Sequence, residues 1–115
     1  MSNFQLPNTL KDRFEKGELV AAIAIDWQSK EVLMLAWMNQ EALIQTLKSK
    51  KVTYFSRSRN QLWEKGETSG NNQKLKSIKY DCDSDALLIE VDQVGAACHN
   101  GTRSCFTNVI EIGNF

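Results

Sequence analysis

Two apolar runs, in VAAIAID and VLMLAWM, are separated only by the polar stretch Asp26 to Glu31. Short apolar runs bounded by turn chemistry are strands, so this segment reads as a β-hairpin with both strands largely buried. The rest of the chain is arranged around that hairpin. Upstream, Asn8 or Thr9 can cap a short helix that ends before Gly17, with Leu10 and Phe14 on one face, packed as a lid or flank. Downstream, Asn39 caps a second helix, NQEALIQTLKSKK. Its Ala42, Leu43 and Leu47 form an apolar stripe, and its closing lysines suit the negative end of the helix dipole. Val52 to Arg57, Leu75 to Cys82, Ala86 to Val94 and Cys105 to Ile112 read as further strands. Strands outnumber the two short helices and follow one another closely, which predicts an α+β domain built on largely antiparallel sheet rather than a parallel βαβ array. No boundary divides the chain. Residues 1–115 are expected to form one domain, long enough to bury roughly 65% of the unfolded surface.

Fourteen basic residues balance fourteen acidic ones, so no global field draws the chain onto nucleic acid or an anionic membrane, and any anion site must be local. The opening residues, MSNFQLPNTLKDRFEKG, lack the basic start and apolar run of a signal peptide. No stretch approaches the roughly 20 apolar residues of a membrane span. A cytoplasmic protein is expected. In that compartment thiols stay reduced, and three cysteines are better read as metal ligands or catalysts than as disulfide halves.

Chemistry concentrates near the C-terminus, as Asp81-Cys82-Asp83-Ser84-Asp85, then Cys98-His99, then Cys105. Thiolates and carboxylates are the ligands of different metal ions. If Ile78 to Asp83 is extended, Cys82 shares a face with Ile78 and Tyr80 while Asp81 and Asp83 share the other. Asp81, Asp83 and Asp85 can then converge on a hard cation such as magnesium, and Cys82 serves a different site. This is not a calcium loop, because Ala86 stands where glycine is needed and Asp92 where the twelfth-position glutamate is needed. Taken alone, the three aspartates also fit a solvated turn. Cys98 and Cys105 bracket His-Asn-Gly-Thr-Arg-Ser, a spacing wider than the knuckles of structural zinc sites. Three thiolates leave a tetrahedral zinc one position for water, whose pKa the ion lowers to about 7. Two other readings stay open on the residues alone: a structural site of three cysteines closed by His99, and small buried cysteines with no metal. His99 is the only histidine, and beside Cys98 it is the candidate general base or acid.

Residues 58–73, SRNQLWEKGETSGNNQ, read as a polar loop, long for an idle connection. Arg57, Arg59, Lys65, Thr68, Ser69, Gly70 and Asn71 offer the cations, hydroxyls and backbone amides that hold a phosphate. Trp63 can stack on a base or cap the core. No Walker sequence and no G-x-G-x-x-G is present. On composition alone the segment also fits a solvated basic loop.

The strings VLMLAWMN, TYFSRSRNQLWEKGETSGN, DCDSD and ACHNGTRSCF together resemble the signature segments of the phosphoribosyl-AMP cyclohydrolase family, over about Leu19 to Phe106. The resemblance implies hydrolysis of the N1–C6 bond of the adenine ring of phosphoribosyl-AMP by zinc-activated water. The product is the open-ring formimino aminoimidazole-carboxamide ribonucleotide, at the third step of histidine biosynthesis. It further implies zinc on Cys82, Cys98 and Cys105, magnesium on Asp81, Asp83 and Asp85, and His99 near the ring to move a proton. Substrate binding falls to loop residues, with Arg57, Arg59, Trp63, Lys65, Thr68, Ser69 and Asn71 as candidates. The resemblance also implies an intertwined homodimer whose zinc site is shared, Cys82 coming from one subunit and Cys98 with Cys105 from the other. Ala96 and Asn100 depart from the family pattern, where proline and threonine are common. Some members carry a C-terminal pyrophosphohydrolase domain; with the chain ending at Phe115, only the cyclohydrolase step is expected.

A different class would be a small zinc-stabilised module for single-stranded nucleic acid. It would stack bases on Tyr54, Phe55 and Trp63 and set Arg57, Arg59, Lys74, Lys76 and Lys79 on phosphates. Zero net charge argues against it. A base deaminase would need H-x-E and P-C-x-x-C, and neither is present.

Overall fold

The apolar hairpin forms as expected, with β1 (Val20–Asp26) and β2 (Val32–Met38) paired antiparallel from Val20 opposite Met38 to Ile25 opposite Val32. The computed structural model describes residues 5–113; the ends of the expected single domain, residues 1–4 and 114–115, lie outside the described residues. Two further strands, β5 (Gln73–Tyr80) and β6 (Ala86–Gln93), complete a four-stranded sheet in the order β2-β1-β6-β5. β6 runs parallel to β1, and the other two pairings are antiparallel. Both β1 and β6 alternate Val20, Ala22, Ala24 and Leu87, Ile89, Val91 into the core, where all six are buried. The α+β class with mostly antiparallel sheet therefore holds.

The helices follow their sequence signals with one difference. In α2 (Gln40–Ser49), Asn39 is the cap and accepts from the Ala42 N–H at 2.9 Å. The buried Thr46 ties this helix to β3 (Thr53–Ser56), its hydroxyl donating to the Ala42 carbonyl and accepting from the Thr53 N–H. In α1 (Asn8–Glu15), Pro7 holds the N-cap position instead of Asn8 or Thr9, and its carbonyl accepts from Leu10 and Lys11 at 3.0 Å each. Thr9 is diverted from capping because its hydroxyl bonds the Ser84 hydroxyl at 2.7 Å. Leu10 is buried and Phe14 packs on the core, so α1 flanks the domain and reaches the aspartate-rich turn.

Two sequence expectations need correction. The segment read as a loop contains β4 (Gln61–Glu64), which pairs antiparallel with β3 through a turn at Asn60, where φ is +52°. Leu62 and Trp63 pack on the core from this strand, and Val52 joins the hairpin to β5 by accepting from Lys65 N–H and donating to Gln73 O, both at 3.0 Å. The second correction concerns residues 105–112, which form no strand. Cys105 N–H donates to Leu33 O at 2.7 Å, and beyond it Val109, Ile110 and Ile112 are 82%, 81% and 84% exposed. β-branched residues favour a strand only where they pair along a sheet edge, and this segment touches the open edge of β2 at Cys105 but pairs with no strand beyond it among the described residues.

A chain of buried polar groups crosses from the hairpin to the sheet. Tyr54 O–H donates to Gln73 Oε1 at 2.6 Å, and Gln73 Nε2 donates to Gln93 Oε1 at 2.8 Å. Tyr54→Phe leaves that Gln73 oxygen without its donor, so we expect a loss of about 1–3 kcal/mol in urea unfolding with the fold retained. An unchanged unfolding midpoint would contradict this.

Candidate active site

Cys98 and Cys105 face one another across a tight loop. Its backbone closes on itself, with Ala97 N–H to Arg103 O, Cys98 N–H to Thr102 O and Gly101 N–H to Cys98 O, all between 3.0 and 3.1 Å. The two thiols are near enough to perturb each other's titration, and the Lys65 ammonium lies within electrostatic reach of both. The Asn100 N–H, the Thr102 hydroxyl, Cys105 and Lys65 together hold the Cys98 thiol below its ordinary range. Desolvation and the neighbouring Cys98 thiol push Cys105 up. His99 is exposed at the tip beside Cys98. Paired soft donors beside a cation are the kind of set that binds a thiophilic metal as thiolates.

Cys82 lies elsewhere in the same chain. β5 ends at Tyr80, so the extended geometry read for Ile78 to Asp83 does not form, and the opposed faces of Cys82 and its neighbours do not arise from strand alternation. The reason is local. Asp81 N–H donates back to Ala86 O, Ser84 N–H donates to Asp81 O, and Ser84 takes a left-handed φ of +57°, which closes a hairpin turn over Cys82 to Asp85. Cys82 is exposed there, its sulfur 3.7 Å from Asp83 Oδ1. Asp81 and Asp85 bring their carboxyls into hydrogen-bond contact, which holds Asp81 down and pushes Asp85 up, with Asp83 adding like charge. Crowded carboxylates of this kind suit a hard cation, which would relieve their repulsion. α1 supports the turn through Arg13, whose Nη2 donates to Asp83 O at 2.9 Å. Among the described residues of one chain, no three His, Cys, Asp or Glu side chains are grouped to hold a metal ion.

The substrate candidates fall into three groups. Arg59, Trp63, Thr68 and Ser69 line one pocket of about 230 Å³, together with Glu64, Gly66 and Glu67. Arg57, stacked over the Trp37 ring at 4.5 Å from its centroid, lines a neighbouring pocket that Trp63 also borders. Lys65 and Asn71 turn toward the segment before Cys98: Lys65 Nζ donates to Ala97 O at 2.7 Å, and Asn71 O accepts from Gln93 Nε2 at 3.1 Å. Lys65 therefore links the pocket-bearing hairpin, from which Glu64 and Gly66 face the pocket, to the thiol loop.

One pair of residues was not singled out by sequence reasoning. Arg103, inside the thiol loop, donates from Nη2 to Asp26 Oδ1 at 2.6 Å, across a separation of 77 residues. Asp26 is buried at the end of β1, and its other oxygen accepts from the Gln28 and Ser29 N–H groups. An acidic residue closing an apolar strand was the one signal available. The Ser29 N–H, then Gln28 and Arg103, outweigh desolvation and hold the Asp26 carboxyl below its usual range.

Comparison with known proteins adds a family. The family model for phosphoribosyl-AMP cyclohydrolase matches residues 34–107. The chain is 57% identical over 104 residues to a phosphoribosyl-AMP cyclohydrolase of Renibacterium salmoninarum, covering 89% of this chain and 79% of that one. It is 59% identical over 96 residues to the Streptococcus mutans protein of the same name, covering 84% and 88%. It is also 52% identical over 100 residues to a histidine biosynthesis bifunctional protein HisIE of Prochlorococcus marinus, covering 86% of this chain and 45% of the longer relative.

The lowered Asp26 pKa gives a signed prediction. A carboxylate held below its unfolded value of about 3.9 stabilises the fold above that pH, and the stabilisation fades as pH falls through the folded value. Asp26→Asn is expected to lower the urea midpoint at neutral pH. Its difference from the parent should shrink as pH drops below about 4. A difference that stays constant across that window would contradict the assignment.

Proposed function

The chain belongs to the phosphoribosyl-AMP cyclohydrolase family, and on that premise we propose that it hydrolyses the N1–C6 bond of the adenine ring of phosphoribosyl-AMP in histidine biosynthesis. One observation carries the site assignment: the neighbouring Cys98 and Cys105 thiols beside Lys65, whose ammonium bonds Ala97 O and which sits on the hairpin that bears the Arg59–Trp63–Ser69 pocket. Two thiols are not a zinc site. Cys82 of a second copy would complete it, a reading supported by the separation of Cys82 from the pair within one chain and by the exposed Phe106, Val109, Ile110 and Ile112. When bound there, zinc would supply a water acidified to near neutrality and ready to add to C6.

The chain's own residues supply the rest. His99, exposed beside Cys98, moves a proton to N1 as the C6–N1 bond breaks. Asp81, Asp83 and Asp85 would hold magnesium against the substrate phosphate, with Arg59, Thr68 and Ser69 as further phosphate partners and Trp63 against the base. No helix of the described residues is long and apolar enough to cross a membrane, and we place the protein in the cytoplasm with the rest of the biosynthesis. The nucleic-acid reading loses one of its three stacking rings, because Tyr54 is fully buried.

The test is ultraviolet detection of ring opening with phosphoribosyl-AMP. Cys98→Ala and Cys105→Ala are expected to lose both zinc and turnover, and a fully active zinc-free variant would overturn the zinc assignment. His99→Ala is expected to lower kcat by about 100- to 10,000-fold with KM little changed. Unchanged turnover would remove His99 from the chemistry.

A further inference from the structure

Beyond Gln93, the last residue of β6, the segment Val94 to Ala97 delivers the chain to Cys98, and three side chains capture the carbonyls from Gln93 to Ala97. Arg103 Nη1 donates to Gln93 O and Gly95 O, both at 3.3 Å. Gln93 Nε2 reaches Val94 O at 3.0 Å and Ala96 O at 3.5 Å, and Lys65 takes Ala97 O. On the other side of the loop, Ser104 Oγ donates to Val32 O at 2.8 Å and Cys105 N–H to Leu33 O at 2.7 Å. The backbone leading into Cys98 is thus fixed to one support and Cys105 to another.

Arg103 is the side chain that joins the two supports. Its Nη1 holds the approach to Cys98, while its Nη2 holds Asp26, on the hairpin turn whose following strand anchors Ser104 and Cys105. Glu31 lies 3.7 Å from Nε. Asp26 cannot swing to follow a moving arginine, because Oδ2 is held by two backbone N–H groups and its own N–H and C=O are bonded to Glu31 O and Lys30 N–H. The planar guanidinium engages all these acceptors at once, which a lysine ammonium does not reproduce. Three of the guanidinium's five N–H groups are thus taken by protein acceptors.

We propose that Arg103, clamped by Asp26, is a positioning residue that sets the distance between the Cys98 and Cys105 sulfurs for metal binding. This rests on the reading that these two thiols bind a metal ion. The Arg103 side chain is 44% exposed whereas Asp26 is buried, so the Arg103 variants separate positioning from global stability more cleanly than Asp26→Asn, and the melt is read for every variant.

Titration of the full chain with cobalt(II), followed through thiolate-to-cobalt absorption and alongside thermal melting by circular dichroism, tests the proposal. Arg103→Gln and Asp26→Asn are each expected to weaken cobalt affinity about 10- to 100-fold, the range seen for outer-shell partners of metal ligands, while keeping a cooperative melt. Arg103→Lys should weaken it as well, since charge without the fork does not hold three acceptors. The Asp26→Asn, Arg103→Gln double variant should be no weaker than the worse single variant. Parent-like cobalt affinity in both single variants overturns the proposal, as does a loss of cobalt binding confined to variants that no longer melt cooperatively. Absence of the thiolate band in the parent chain overturns the metal reading itself, and this inference with it.

Discussion

Backbone carbonyls that leave a β-sheet must find new partners, and everything around the thiol loop depends on how this chain meets that requirement. β6 ends at Gln93, and after one further bond from Val94 N–H to Asn72 O the next residues join no strand. Buried amides and carbonyls left unpaired are costly. Gln93, Arg103 and Lys65 resolve the problem with side chains drawn from the sheet, the thiol loop and the hairpin respectively. The solution places Lys65 beside the two sulfurs and ties the loop to Asp26. Packing, electrostatics and the candidate chemistry therefore share one small set of hydrogen bonds.

The same requirement explains the buried relay behind the loop. Gln93 occupies its position because Gln73 supplies a donor to its oxygen, and Gln73 is fixed in turn by the Tyr54 hydroxyl. Each amide is spent on both sides, so the relay is satisfied rather than strained. Desolvation pushes the Tyr54 phenol above its ordinary range, and the group stays a neutral donor. The hairpin and the loop segment are thereby held in fixed relation through a core polar chain.

Much of this was legible in the residues. The β1–β2 hairpin and α2 announced themselves through apolar runs and the Asn39 cap, because both signals are local. β4 was hidden: Gln61 and Glu64 frame only two apolar residues, and the strand exists through pairing with β3. Residues 105–112 carry strong β-formers, but after the single bond from Cys105 to β2 they pair with no strand among the described residues, so propensity misled where pairing was not made. At the site, the cysteines and aspartates were visible as motifs, yet the alternation argument for Cys82 failed because Asp81 pairs back to Ala86 and starts a turn. Arg103 and Asp26 could not be joined from the sequence, since nothing local links residues 77 apart.

The chain brings together two thiols and holds the third apart, and we read this as half of a site that a second copy completes. Mixing chains bearing Cys82→Ala with chains bearing Cys98→Ala, each inactive alone, tests that claim most directly. If the site is shared, every mixed dimer carries one intact set of three thiols, and a randomly mixed pool should regain about one quarter of parental turnover with matching zinc content. A mixed pool that stays inactive and zinc-free, or a Cys82→Ala chain that keeps full zinc and turnover by itself, would contradict it.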